Sequence, residues 1–390
     1  MNKKLLIVFL GILAAMAPLA TDMYLPSLPE IQREFGTGPS VIQMTLTMTM
    51  LGMAIGQILA GPISDMEGRK RPLLVGMLIF AAASVVCALV SNIYVFLAAR
   101  LVQGLAGACG IVVARAIARD VCQGSDLTTF YAILMMINGL APIMAPVIGG
   151  QLLLLGSWHL IFAALTVVGI VMALATMVYK ETLPVSGRIK SIKATLRVMP
   201  KLLRDRYFMG HCLLQSFIYM SFFCYIGCSS FIYQGIFGVS AQGYSYIFGG
   251  VGVGLLLAGT IPARLAGRVS ENKMLFYAIL VQIISSVLLF AVFMTANNFY
   301  LVVVLMALCV IPISVLATVS FSMALNRQGK NAGSASALLG FFSMFLGALI
   351  MPVAGYFGTD TGVPMSVIMM IGFAVGMYFY WIMVRPEHDD

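Results

Sequence analysis

The stretch Gly61-Pro62-Ile63-Ser64-Asp65-Met66-Glu67-Gly68-Arg69-Lys70-Arg71-Pro72-Leu73-Leu74 joins two long apolar runs and gathers charge in a chain that has little of it. Glycine opens it and recurs at its middle, an acid follows the first glycine by four residues, and a basic cluster comes next. A short charged loop between apolar runs marks membrane topology. It is also a place where two helices can hinge.

Hydrophobic residues make up 61% of the chain and charged residues 9%. A soluble domain carries about 25% charged residues, so water is not the main solvent of this protein. Crossing a bilayer core as a helix takes roughly 20 apolar residues. Runs of that kind lie near 5–26, 40–60, 73–91, 94–114, 129–154, 158–178, 208–234, 243–263, 274–294, 299–324, 332–356 and 364–384. Each is continuously apolar, whereas the strands of a membrane barrel would alternate over about ten residues. The expectation is an all-α membrane protein of twelve transmembrane helices. Met1 to Ala20, with Lys3 and Lys4 ahead of an apolar run, also has the form of a secretory signal peptide. Eleven further spans follow, and the run continues into Asp22, Tyr24 and Pro26, so it reads as a retained first helix.

With the N-terminus placed inside, all but two of the 23 basic residues fall on inside segments. The exceptions are Arg33 in the first outer loop and Arg100 within a span. Flanking positive charge sets orientation, which puts both termini in the cytoplasm. The net charge of +9 then anchors the protein to anionic lipid of the inner leaflet; nucleic acid is not an expected partner.

The longest polar stretch, Lys180 to Tyr207, divides the chain into a six-helix bundle at 1–180, a cytoplasmic linker at 181–206 and a second six-helix bundle at 207–390. The halves echo each other. Leu59-Ala60-Gly61-Pro62-Ile63 in span two matches Leu257-Ala258-Gly259-Thr260-Ile261 in span eight. Ile143-Met144-Ala145-Pro146-Val147-Ile148-Gly149 in span five matches Leu349-Ile350-Met351-Pro352-Val353-Ala354-Gly355 in span eleven, at nearly the same offset. Two pseudo-symmetric repeats around a central cavity are how secondary transporters build alternating access.

These features together resemble the major facilitator superfamily. Gly61 to Leu74 is similar to its loop signature, and Arg100-Leu101-Val102-Gln103-Gly104 to its fourth-helix motif. Gly139-Leu140-Ala141-Pro142, running on to Pro146, Gly149 and Gly150, looks like the fifth-helix motif of its antiporters. Thr21-Asp22-Met23-Tyr24-Leu25-Pro26-Ser27-Leu28-Pro29 is close to the first-helix signature of the bicyclomycin/chloramphenicol resistance subfamily. The resemblance covers essentially the whole chain. It implies a major facilitator fold and exchange of drugs for protons, while no motif carries the identity of the substrate.

Physical roles for these residues follow. Gly61 removes a side chain where membrane helices pack and slide, and Gly68 stands in the turn. Asp65 can pair with Arg69, with Arg115 or Arg119, or with the positive end of a neighbouring helix. The resemblance points to the start of span eleven, Asn331 to Ser334, for that last contact. Asp120 would complete a charge network that locks the halves in an outward-facing state. In the second half Ala263 stands where Asp65 stands, so the lock is expected to be asymmetric.

An ionisable group within the membrane is costly unless paired or hydrated, and is a functional candidate. Asp22 and Arg100 are the two that lie away from span ends. At 1.5 Å of rise per residue, both sit in the outer half and could face one another. A nearby arginine favours the ionised carboxylate and burial favours the protonated one. A cavity that opens and closes would therefore let Asp22 take up a proton outside and release it inside. Pro142 and Pro146 with Gly139, Gly149 and Gly150 make span five bendable, a helix suited to sealing the cavity against protons. Tyr24, Asn138, Gln215, Tyr219, Phe222 and Tyr225 are the candidates for lining a substrate cavity, offering π surface and hydrogen bonds.

No Gly-x-x-x-x-Gly-Lys-Ser/Thr loop is present, so ATP is not the expected energy source. The seven cysteines and the scattered His159, His211 and His388 make no zinc, redox or disulfide pattern. No cofactor or metal is expected. The leading reading is a secondary transporter exchanging drugs or other amphipathic molecules for protons, functional as a monomer in a bacterial cytoplasmic membrane. An alternative within the same fold is a proton-coupled transporter of one metabolite. A membrane enzyme or receptor lacks a catalytic constellation and a sizeable soluble domain.

Overall fold

The computed structural model describes residues 3–121, 124–184, 200–295, 297–328, 332–358 and 360–385. Helices dominate, and no strand occurs among the described residues. They are α1 (Lys3–Asp22), α2 (Leu28–Phe35), α3 (Pro39–Glu67), α4 (Lys70–Leu89), α5 (Ile93–Val121), α6 (Gly124–Leu155), α7 (His159–Val178), α8 (Arg206–Phe231), α9 (Ala241–Ala258), α10 (Ile261–Leu265), α11 (Glu271–Thr295), α12 (Phe299–Val310), α13 (Ile313–Asn326), α14 (Ala332–Tyr356) and α15 (Val363–Phe379). Eleven stretches among the described residues are helical, long and apolar enough to cross a membrane, and α6 adds the apolar run Gly139–Leu155. In lipid every backbone polar group must be satisfied within the protein, and helices achieve this along their own length. Leucine, valine and isoleucine side chains such as Val75, Leu78, Val171 and Leu174 are exposed along the helices, as a lipid solvent allows.

Two compact units form. One comprises 1–37 and 44–192, the other 38–43 and 193–390. In the first, α1 packs against α5 and α6, and α4 against α5 and α7. Glycine sets a close crossing there: a Cβ at Gly52 would come within 2.1 Å of the Leu101 carbonyl oxygen, and one at Gly104 within 2.0 Å of the Thr49 carbonyl oxygen. The helix backbones of α3 and α5 thus touch directly, as small residues permit in membranes. In the second unit, α8 packs against α14 and α15, and α11 against α12 and α15.

The opening stretch is far more helical than a loop. Helix α3 runs through Gly61 and Pro62 to Glu67, and α4 resumes at Lys70, leaving Gly68 and Arg69 as the whole turn. Gly68 has φ +94°, a left-handed conformation that suits glycine because a Cβ would clash there. The second unit repeats the device after α10, with Gly267 at φ +75° followed by Arg268. Two spans are interrupted: the eighth between α9 and α10, at Gly259 and Thr260, and the tenth between α12 and α13, at Ile311 and Pro312. Helix α8 ends in a π turn, Ile232–Ile236, and α15 in another, Tyr380–Val384.

Candidate functional site

Two groups of polar side chains stand out inside the first unit. The first surrounds the α3–α4 turn. Arg69 is buried, and its guanidinium joins two helices: Nη1 donates to Asp65 Oδ1 at 2.5 Å and to Ser64 Oγ at 3.0 Å, while Nε donates to Asp120 Oδ2 at 2.8 Å. One planar fork thereby satisfies carboxylates from the end of α3 and the end of α5, which a lysine point charge cannot do with the same geometry. Of the partners open to Asp65, Arg69 is bonded to it. Arg119 is exposed on α5 and stands outside this cluster. The side chains at 331–334 lie outside the described residues. Gly61 meets only Val112, at an ordinary 3.7 Å, because the tight crossing of α3 lies further back at Gly52.

Glu181 is the member of this cluster that the sequence reading missed. It stands just after α7, as the first residue of the expected linker, and its two oxygens accept the backbone N–H groups of Arg69 (2.9 Å) and Lys70 (3.0 Å). The first N–H groups of a helix have no partner within it, and the helix dipole favours an anion there. Glu181 is therefore a cap for α4 supplied from the far end of the same unit. Burial pushes its carboxyl up, but the N–H groups of Leu183, Arg69, Lys70 and Thr182 outweigh this and hold it below the usual range. A group depressed in the folded state stabilises above its ordinary pKa, and that stabilisation is lost as pH falls through the folded-state value. Glu181→Gln is expected to destabilise the protein by about 0.5 kcal/mol at neutral pH, a capping contribution reduced by exposure. The difference from wild type should vanish in acid, which melting curves over a pH series would show.

The second group lies around Arg100. Its side chain is fully buried, hydrogen-bonds through Nη1 to Gln103 Oε1, and donates through Nη2 to the Ala20 carbonyl at 2.9 Å. The guanidinium carbon lies 4.2 Å from the centroid of the Tyr24 ring and 5.4 Å from that of Phe162. Gln103 continues the chain to Ser84 Oγ at 2.7 Å, and Tyr24 shares a 2.9 Å hydrogen bond with Thr45. Tyr24 is thus committed to the core of this unit. Among the described residues no carboxylate pairs with Arg100. A backbone carbonyl, an amide and two aromatic faces take the place that the sequence reading gave to Asp22.

Asp22 ends α1 and is only 8% exposed. No cation pairs with it among the described residues. The adjacent Thr21 hydroxyl is turned to the Ala17 carbonyl at 3.0 Å. Thr21 is also the hydrogen-bonding neighbour of the carboxylate, but a helix C-terminus repels negative charge, so neither a cation among the described residues nor the helix stabilises an anion there. Gly149 of α6 lies against this corner: a Cβ on it would come within 1.7 Å of the Met23 carbonyl oxygen. The antiporter-type run of α6, with Pro142 and Pro146 inside the helix and Gly139 and Gly150 beside them, is thereby set directly on the chain segment that carries Asp22.

The remaining cavity candidates divide. Tyr219 and Phe222 are half-buried on one face of α8, with ring centroids 6.0 Å apart. Gln215 is buried and donates to the Ala317 carbonyl at 3.1 Å. Tyr225 is fully buried, stacked on Phe248 at 5.7 Å. The side chain of Asn138, on α6, lies outside the described residues.

Comparison with known proteins agrees with this picture. The family model described as Major Facilitator Superfamily matches residues 10–352. The chain is 39% identical to the MFS-type transporter YdgK of Bacillus subtilis, over 99% of its own length and 97% of that protein's. It is 30% identical to a bicyclomycin resistance protein homolog of Haemophilus influenzae, over 97% and 95% of the two chains. Among solved structures, a bacterial homolog of the human lysosomal transporter Spinster superposes with a TM-score of 0.77 at 12% identity, over 98% of this chain and 97% of that one.

Proposed function

The chain belongs to the major facilitator superfamily, a multi-pass membrane transporter, and on that premise we propose that it exports small amphipathic compounds, drugs among them, in exchange for protons. The observation that carries this reading is Asp22: a carboxylate closed off from water, at a helix end that repels its charge, with no cation paired to it among the described residues. Ionised, it is costly in that place; protonated, it is at home. Such a group changes its protonation state only when the surroundings open, which is what a carrier that exchanges protons for cargo requires. The relative named for bicyclomycin resistance supports a drug as cargo. Arg100 holds the Ala20 carbonyl two residues before Asp22 and so fixes the end of α1, acting on the carboxylate through the backbone. Asp65, Arg69, Asp120 and Glu181 form a latch that keeps the α3–α4 turn in one shape while the carrier changes state. The distribution of basic residues supports a bacterial cytoplasmic membrane as the site of action, with both termini inside, and the protein works as a monomer.

A susceptibility panel in a pump-deficient bacterial host tests this reading. Expression should raise resistance to several unrelated amphipathic compounds, and a protonophore should remove the effect. Resistance that survives the protonophore would overturn proton coupling. No resistance to any compound would favour a single metabolite as the cargo.

A further inference from the structure

A cluster of polar side chains that proton exchange does not use lies wholly inside the second unit. Tyr225 on α8 and Tyr233 in the following π turn are both fully buried, and neither hydroxyl has a hydrogen-bond partner among the described residues. Tyr225 stacks on Phe248 of α9 at 15° between ring planes. Tyr233 lies 6.3 Å from the ring of Tyr244 and 6.4 Å from that of Phe299. The electrostatic neighbours of the Tyr233 hydroxyl are Tyr225, Tyr244 and the Cys309 thiol. Tyr244 is already engaged, its hydroxyl 3.2 Å from Ser229 Oγ. That leaves two phenol donors directed into an aromatic enclosure without an acceptor.

Phenylalanine would fill either position as well, without the desolvation penalty of an unpaired hydroxyl. An acceptor reached in another state of the protein would remove that penalty. Among the described residues the electrostatic neighbours of these hydroxyls are phenols and a thiol, and their ring neighbours are aromatic, which suits an acceptor that is neutral and flat. We propose that Tyr225 and Tyr233 form a binding subsite for the carbonyl of a neutral aromatic ketone or amide, with Phe248 and Phe299 against its rings. The inference rests on the reading of this protein as an exporter of amphipathic compounds and gives that cargo a chemical class. The π turn supplies the means of opening. Such a turn adds a residue to the helix and is frequent at functional sites, and here it carries one of the two donors.

The test uses the purified full-length protein in lipid nanodiscs and two probes, 9-fluorenone and fluorene, which differ in the carbonyl alone. Fluorenone should bind about tenfold more tightly than fluorene, and its carbonyl stretch should move to lower wavenumber than in an apolar solvent. Tyr225→Phe and Tyr233→Phe should each weaken fluorenone about fivefold and leave fluorene unchanged. Neither variant should melt below wild type, because neither hydroxyl loses a partner. Equal affinity for the two probes, an unshifted carbonyl band, or variants with a lowered melting temperature would overturn the proposal, the last by showing that the hydroxyls serve internal structure. Proton-driven export by the wild-type protein, measured in proteoliposomes beside its binding of the two probes, separates this from the broader reading. Carbonyl-selective binding without proton-driven export would leave the subsite standing and remove the exchange; the converse would remove the subsite alone.

Discussion

Asp22→Asn is expected to abolish proton-driven export while leaving the protein folded in the membrane. Asparagine keeps the shape and the hydrogen-bonding oxygen of aspartate but cannot ionise. It therefore holds the end of α1 permanently in the neutral form. Removing a buried ionisable group also removes the several kcal/mol that its charge costs in such a place, so the variant should melt at or above the wild-type temperature. In proteoliposomes with an imposed pH gradient, export should fall to the level that a protonophore gives. Exchange of substrate down its own gradient should persist, since that step needs no change of protonation. Wild-type efflux from this variant would place the proton elsewhere.

Arg69→Ala should have the largest effect on stability. It leaves Asp65 and Asp120 as acids without their shared cation, beside Glu181. Removing one partner of a buried ion pair costs about 3–5 kcal/mol. Asp65 is 28% exposed on its side chain and Asp120 13%, so water recovers part of this and about 2–3 kcal/mol is expected. Arg69→Lys should recover less than half of the loss, because an ammonium cannot reach Asp65, Ser64 and Asp120 from one plane. Melting curves and transport rates on the three proteins check this. An alanine variant with wild-type values in both would show the cluster to be surface decoration.

The twelve spans were legible because each is a run of apolar residues long enough to announce itself, whatever its neighbours do. The internal breaks at Gly259–Thr260 and Ile311–Pro312 were not, since proline and glycine are tolerated within membrane helices when neighbours satisfy the freed groups. Asp65, Arg69 and Asp120 could be named from motif and charge. Glu181 could not, because its partners are backbone N–H groups, and a carboxylate that caps a distant helix has no complementary side chain to betray it. Asp22 and Arg100 show a different limit. Rise per residue gives the depth of a side chain but not its bearing around the helix axis, and two residues at one depth can face away from each other. Tyr233 escaped for a related reason: the π turn adds a residue and shifts every later side chain off the face that a 3.6-residue period assigns.

The bond from Glu181 to the start of α4 also has a meaning for how the protein is made. Residues 69 and 70 leave the ribosome more than a hundred residues before their partner does. Until then the first N–H groups of α4 have only water or lipid headgroups to turn to. The clasp at the α3–α4 turn can close only when α7 has entered the bilayer and the chain beyond it has turned back. Its closure is thus a completion mark for the first half of the protein, set at the point in synthesis where the second half begins.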